Sequence, residues 1–439
     1  RYLFEANIRA DGSSRFRSDN RWKVFPSVSV GWNIAQEKFF EPLSNTIGTL
    51  KLRGSFGSLG NQNTTNWYQT YQTLAIYSAS GAWLMNGNRP NTAGTPGLVS
   101  TDLGWETIQS YNVGLDWGLL KNRLTGSFEY YIRDTKNMVG NAPELPNILG
   151  TGVPVTNNTD LRSQGWELTI GWRDRLQNGF SYGVNFNLSD ARTKITKYPN
   201  NPTENIWNYI PGRYIGEIWG YESTLFQSQE EIDNAPDQSK VDGAISKVPG
   251  DIRFMDINGD GVVDYGENTV DNPGDMKIIG NNRARYRYGF NVSADWKGFD
   301  LGIFFQGVGK RDIMLPNTFR WQYGSQWQVP VAASNDYWSE TNTDAWLPVA
   351  RFNGGTALGQ NQTRYLLNAA YLRLKSLSFG YTLPVSLTKQ WGIQKCRLYF
   401  TGENLLTFKH TPEGFDPELD DPYQYPQQRS LSIGVNVVF

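Results

Sequence analysis

Apolar and polar residues alternate with a period of two along most of this chain, and few architectures tolerate that. In YNVGLDWG, Tyr111, Val113, Leu115 and Trp117 share one face, while Asn112, Gly114 and Asp116 share the other. The short turn LLKNR leads into LTGSFEYYI, where Leu124, Phe128, Tyr130 and Ile132 oppose Thr125, Ser127 and Glu129. Side chains of a strand point alternately to its two faces, so this spacing predicts a hairpin of two strands about ten residues long. GWELTIGW and FSYGVNFNL repeat the pattern, and YRYGFNVSADW pairs with DLGIFF across KGF. Further starts near Tyr2, Phe25, Leu50, Tyr371, Lys395 and Arg429 bring the expectation to about twelve strands.

A soluble sandwich or propeller buries one strand face and wets the other. A transmembrane barrel turns the apolar face to lipid and the polar face to an aqueous lumen. Three features favour the barrel. Trp117, Trp166, Trp172 and Trp296 sit at strand ends, where interfacial girdles lie. Connections alternate between short turns and long polar loops. The second face carries Asn, Glu, Asp, Gln and Gly, which suits a lumen. With LLKNR, RDRLQNG and KGF on the periplasmic side, twelve alternating strands bring the last one, RSLSIGVNVVF, down to the periplasm. There Leu431, Ile433, Val435 and Val437 precede a terminal Phe439, with Val438 on the lumen side.

The remaining composition narrows the chemistry. The 439 residues carry a net charge of -1, which offers no field for nucleic acid or an anionic membrane surface. One cysteine, Cys396, excludes an internal disulfide framework, and one histidine, His410, removes most triad and zinc schemes. No residue is proposed as catalytic, and the chain is not expected to be an enzyme. No apolar run approaches the roughly 18 residues of a membrane helix. RYLFEANIRA opens in alternation with no secretory signal, so the chain is expected to begin inside a structural element of a longer polypeptide.

Several stretches taken together carry a resemblance: DGSSRF (11–16), FPSVSVGW (25–32), LRGSFGSLGN (52–61), QGWEL (164–168), DINGDGVVD (256–264), IIG (278–280), YLRLKSLSFGYTLP (371–384), ENLLTF (403–408) and GFDPE (414–418). With the closing strand, they are similar to the C-terminal half of a SusC/RagA-type TonB-dependent transporter of the Bacteroidetes outer membrane. That resemblance implies a barrel of about twenty-two strands, of which residues 1–439 supply about half, with long extracellular loops near 191–285 and 309–370. It also implies an N-terminal plug and first strands outside this chain, a TonB complex acting through that absent region, and a SusD-type surface lipoprotein as lid.

Residues 256–267, DINGDGVVDYGE, satisfy the spacing of an EF-hand calcium loop. Pro249, Pro273 and the neighbouring glycines argue against the two flanking helices an EF-hand needs. The loop chemistry survives without them. Asp256, Asn258, Asp260, Asp264, the Val262 carbonyl and Glu267 provide six or seven hard oxygens suited to a structural Ca²⁺. The alternative is an Asx-turn loop satisfied by its own backbone and by Arg253 or Lys277.

Aromatic residues crowd the long loops. Trp207, Tyr214, Trp219, Tyr221, Trp321, Tyr323 and Trp327 are candidate contacts for a ligand or for the lid, since aromatic faces stack on sugar rings and accept peptide side chains. The reading is an outer-membrane importer of oligosaccharides or peptides, working with a SusD-type lid and energised through TonB. A barrel serving as a structural or assembly scaffold, or a passive pore of about twelve strands, are the alternatives.

Overall fold

A computed structural model describes the chain apart from residues 64–66, 68, 78–83, 147, 149, 316–335, 352–355 and 420–423. Its main feature is one twelve-stranded sheet in which chain order and spatial order coincide. The strands are β1 (Tyr2–Gly12), β2 (Trp22–Asn33), β3 (Ile47–Asn61), β4 (Glu106–Leu119), β5 (Leu124–Asn141) and β6 (Val155–Arg175). They continue with β7 (Ser181–Lys197), β8 (Arg285–Trp296), β9 (Phe299–Lys310), β10 (Tyr371–Thr382), β11 (Lys395–Lys409) and β12 (Ser430–Val438). Every neighbouring pair is antiparallel, an up-and-down meander. Among the described residues β1 and β12 each have a sheet partner on one side only, so the wall is open at both edges. Among the described residues no helix is long and apolar enough to cross a membrane.

Register assigns the faces, because directly paired residues of neighbouring strands point the same way. Leu115 pairs with Phe128 and Phe128 with Leu168, while Ile170 pairs with Phe186 and Phe186 with Phe290. That face is apolar across the wall, and it ends on β12 with Leu431, Ile433, Val435 and Val437, all exposed. On β5 it runs from Leu124 to Ile132 and stops at Asp134, which two hydrogen bonds of 2.7 and 2.9 Å join to Arg162 of β6. The apolar band therefore has about the length of strand that crosses a hydrocarbon layer. β5 and β6 are longer than the expected ten residues, with 18 and 21. Pairing continues past the band into a polar extension, where no hydrocarbon demands alternation.

The other face is polar and internally paired. Arg53 of β3 bonds to Asp116 of β4 at 3.2 Å and also to Glu129 of β5, which accepts from Asn112 at 3.0 Å. Arg397 of β11 donates to Asp300 of β9 at 2.8 Å.

At one end the turns 120–123, 176–180 and 297–298 are tight, and the connections 34–46 and 383–394 at the same end are short. β8 and β9 are joined by Lys297 and Gly298, whose φ angles of 47° and 91° are the pair of positive values a two-residue primed turn requires. A Cβ on Gly298 would meet the Thr382 carbonyl oxygen at 2.8 Å. At the opposite end lie the long connections 198–284 and 311–370, together with 62–105 and 410–429. The first two are slightly shorter than expected, because β7 runs on to Lys197 and β9 to Lys310.

Candidate functional site

Two of the long connections fold together into a cap with its own core. Residues 198–284 supply Ile206, Trp219, Tyr221, Phe254, Val263 and Met276, and residues 336–370 supply Trp338, Ala345, Leu347 and Tyr365. Burying apolar surface on both segments stabilises one unit where neither could close a core alone. The polar seams are as specific. Gln362 is fully buried and accepts from Ser223 Oγ at 2.9 Å, and Arg351 grips Asp251 through bonds of 3.1 and 2.6 Å. Gly220 is required where the two segments touch, since a Cβ there would lie 2.5 Å from the Asn361 carbonyl oxygen.

This core corrects part of the aromatic expectation. Trp219 and Tyr221 are buried in the cap core; Tyr221 presents almost no surface, and Trp219 reaches only the edge of a cavity. Burial also pushes the Tyr221 phenol well above its ordinary range. Trp207 and Tyr214 are exposed. The indole N–H of Trp207 donates to Asn268 Oδ1 at 2.9 Å, which fixes the ring. Trp321, Tyr323 and Trp327 lie outside the described residues.

The acidic loop sits on this cap and is closed by its own donors. Asp256 accepts from the Gly259 and Gly261 N–H groups at 2.6 and 2.9 Å. Asn258 Oδ1 accepts from the Asp260 N–H, and Asp260 Oδ1 from the Val262 N–H, both at 2.9 Å. Asp264 accepts from the Gly266 N–H at 2.9 Å and from Lys240 Nζ at 2.8 Å. The Lys240 ammonium, then the Gly266 N–H, hold its carboxyl below the usual carboxylate range. Gly259 and Gly261, at φ +78° and +85°, let the chain turn this sharply. Glu267 is tied through its backbone N–H to the Asn272 carbonyl at 3.0 Å.

Neither Arg253 nor Lys277 serves as the counter-ion, because they pair with Glu231 and Glu222. The anchor that sequence reading missed is Asp275. It is fully buried and accepts from the N–H groups of Ile257 at 2.7 Å and Asp264 at 2.9 Å. Among the described residues no three acidic side chains gather around one point. A Ca²⁺ ion here would have to take Asp264 from Lys240 and draw the carboxylates inward.

Among the described residues, two cavities open between the cap and the polar face of the wall, and another adjoins them within the cap. One of about 790 Å³ lies among Tyr131, Glu167 and Arg287 of the strands and Tyr214, Asn281 and Arg283. The cavity within the cap, of about 820 Å³, is lined by Trp207, Arg213, Arg283 and Arg311. A third, of about 540 Å³, adjoins Asn187, Arg283, Arg287, Arg311 and Tyr371. Arg283 borders all three. These arginines were not singled out from the sequence, although NNRARYRYG places Arg283, Arg285 and Arg287 at strand spacing.

A meander with an apolar outer face, a polar inner face, tight turns at one end and a folded cap at the other is the wall of a transmembrane-type β-barrel. Comparison with known proteins names the kind. The family described as "TonB dependent receptor-like, beta-barrel" matches residues 1–239, and this chain belongs to it. TonB-dependent receptor P3 of Formosa agariphila is 32% identical along the whole chain, which covers 44% of that protein. TonB-dependent receptor SusC of Bacteroides thetaiotaomicron is 26% identical along the whole chain, which covers 42% of it. The chain thus spans less than half the length of these curated relatives. Among solved structures, the RagAB peptide transporter superposes with a TM-score of 0.77 at 24% identity, covering 99% of this chain and 46% of the other. That likeness speaks for the fold, a barrel wall of the SusC/RagA type.

Proposed function

We propose that this chain forms the C-terminal part of the barrel of an outer-membrane importer that takes up oligosaccharides or peptides. A SusD-type lipoprotein covers its outer mouth, and TonB energises it through a region outside this chain. The observation that carries the reading is the cavity between cap and inner wall, where Glu167 and Arg287 of the strands face Tyr214 and Asn281 of the cap. A ligand held there rests against the polar inner face, on the route a lumen provides, and next to loops that a lid could cover. The chain's own residues bind and orient the ligand and perform no covalent step. The one-sided pairing of β1 and β12 does not fit a pore of twelve strands closed within this chain.

The test compares uptake of labelled oligosaccharides and peptides by cells with and without the full-length protein, each with and without dissipation of the proton gradient. Import predicts an energy-dependent uptake lost on deletion. Unchanged uptake, with other outer-membrane proteins lost on deletion, supports the scaffold reading instead.

A further inference from the structure

The three cavities share one chemical character. Arg283 borders all of them, and Arg287 and Arg311 border two each. Among the described residues neither Arg283 nor Arg287 forms an ion pair or gives its guanidinium to a protein acceptor, and both are exposed. Their neighbour Arg285 is different. The positive φ of 52° at Tyr286 breaks the strand alternation, and Arg285 pairs with Asp190 through two hydrogen bonds.

The carboxylates along the same walls are already engaged. Asp190 is held by Arg285, and Asp312 accepts the Asn281 N–H at 2.9 Å. Glu217 accepts the Tyr214 N–H at 3.2 Å, and Glu418 lies 3.0 Å from Arg373 and 2.9 Å from Lys375. Glu167 is the exception, and it stands two strands from Arg287 across Ser189. A guanidinium presents a planar fork of donors matched to carboxylate and sulfate oxygens, and partial enclosure strengthens such a bond over its value in water. Two guanidinium groups that border the same two cavities, without protein acceptors among the described residues, are therefore oxyanion receptors.

We propose that the cavities receive an oligosaccharide bearing carboxylate or sulfate groups, held through Arg283 and Arg287. This deepens the import reading and rests on it. The sugar is favoured over an acidic peptide by Trp207. Its ring is exposed, fixed by Asn268, and borders the same cavity as Arg283, which makes a flat platform for a pyranose face beside an anion receptor. Tyr214 has its ring faced by Arg192, whose guanidinium carbon lies 5.2 Å from the centroid, which adds a cation to the same wall.

The test uses the full-length receptor in detergent and calorimetric titration with five probes: oligogalacturonate, a sulfated galactan oligosaccharide, maltotetraose, tetraglutamate and tetra-alanine. An anionic oligosaccharide should bind tightest, and its binding should weaken with rising salt. Arg283→Ala and Arg287→Ala should each weaken it roughly ten-fold, the size of one lost charge-assisted contact. Arg287→Lys should recover part of the loss, while heat-modifiable mobility reports an intact barrel in every variant. Tightest binding of maltotetraose or tetra-alanine overturns the proposal and leaves import standing. So does an affinity unaltered in the Arg283→Ala Arg287→Ala double variant. Tightest binding of tetraglutamate assigns the arginines to an acidic peptide and overturns the sugar. Binding of none of the five counts against the import reading as well.

Discussion

Lys240 Nζ lies 2.8 Å from Asp264 Oδ2, so the last carboxylate of DINGDGVVD is neutralised by a cation 24 residues earlier in the chain. The folded carboxyl is held below its unfolded value of about 3.9. Stability from this pair is therefore present above that value and lost as pH falls through the lower, folded one. Limited proteolysis across 250–275 should be slow at pH 5 and become fast only well below pH 4. In Lys240→Ala the onset should move up toward pH 4. An unchanged onset would show that Lys240 does not hold the loop.

Calcium at the same loop is a proposal about a structural ion. At about 1 mM, Ca²⁺ should slow cleavage within 250–275, a chelator should reverse this, and Asp260→Ala should abolish it. Because the ion has to displace Lys240, Lys240→Ala should respond at lower calcium concentration than the parent protein. Equal cleavage with calcium and with chelator removes the ion from the account.

The register of β12 sets Val435 on the apolar face and Asn436, opposite Arg397, on the polar one. Val435→Arg should impair assembly by a midplane cost of roughly 2–4 kcal/mol, whereas Asn436→Arg should be milder. The readout is the fraction of full-length protein reaching heat-modifiable form. Equal tolerance of both changes would argue for a water-soluble sheet.

Tight turns and long connections lie at opposite ends of the strands, which sets a topology. A cysteine replacing Asn234 in the cap should be labelled in intact cells by an impermeant maleimide. One replacing Lys121, in the turn between β4 and β5, should be labelled only after lysis. Both positions are exposed, so accessibility does not confuse the result. The reverse pattern would invert the barrel.

The wall was legible because a strand's side-chain direction repeats every two residues, so Leu431 to Val437 announce their face without any neighbour. Strand ends were less so. β5 and β6 run past the apolar band, where polar residues alternate with polar ones and no contrast marks where pairing stops. The cap was not legible. Trp219 in a polar loop reads the same whether it stacks on a ligand or packs into one core with Leu347, and only the meeting of two residues more than a hundred positions apart decides. Lys240 and Asp275 escaped for a similar reason: loop spacing shows which carboxylates lie close in sequence, not which donor or acceptor from elsewhere in the chain closes on the loop. Arg283 and Arg287 were visible in NNRARYRYG, but alternation alone does not say that Arg285 leaves the row.

The cap core has a consequence for the order of events in assembly. Val263 and Leu347 belong to it, yet β8 and β9 lie between their segments in the chain. Pairing of Arg285 with Lys310 at the open end of that hairpin brings the end of the first segment to the start of the second. The cap core is therefore favoured once the hairpin has formed, because its loop-closure cost is already lowered.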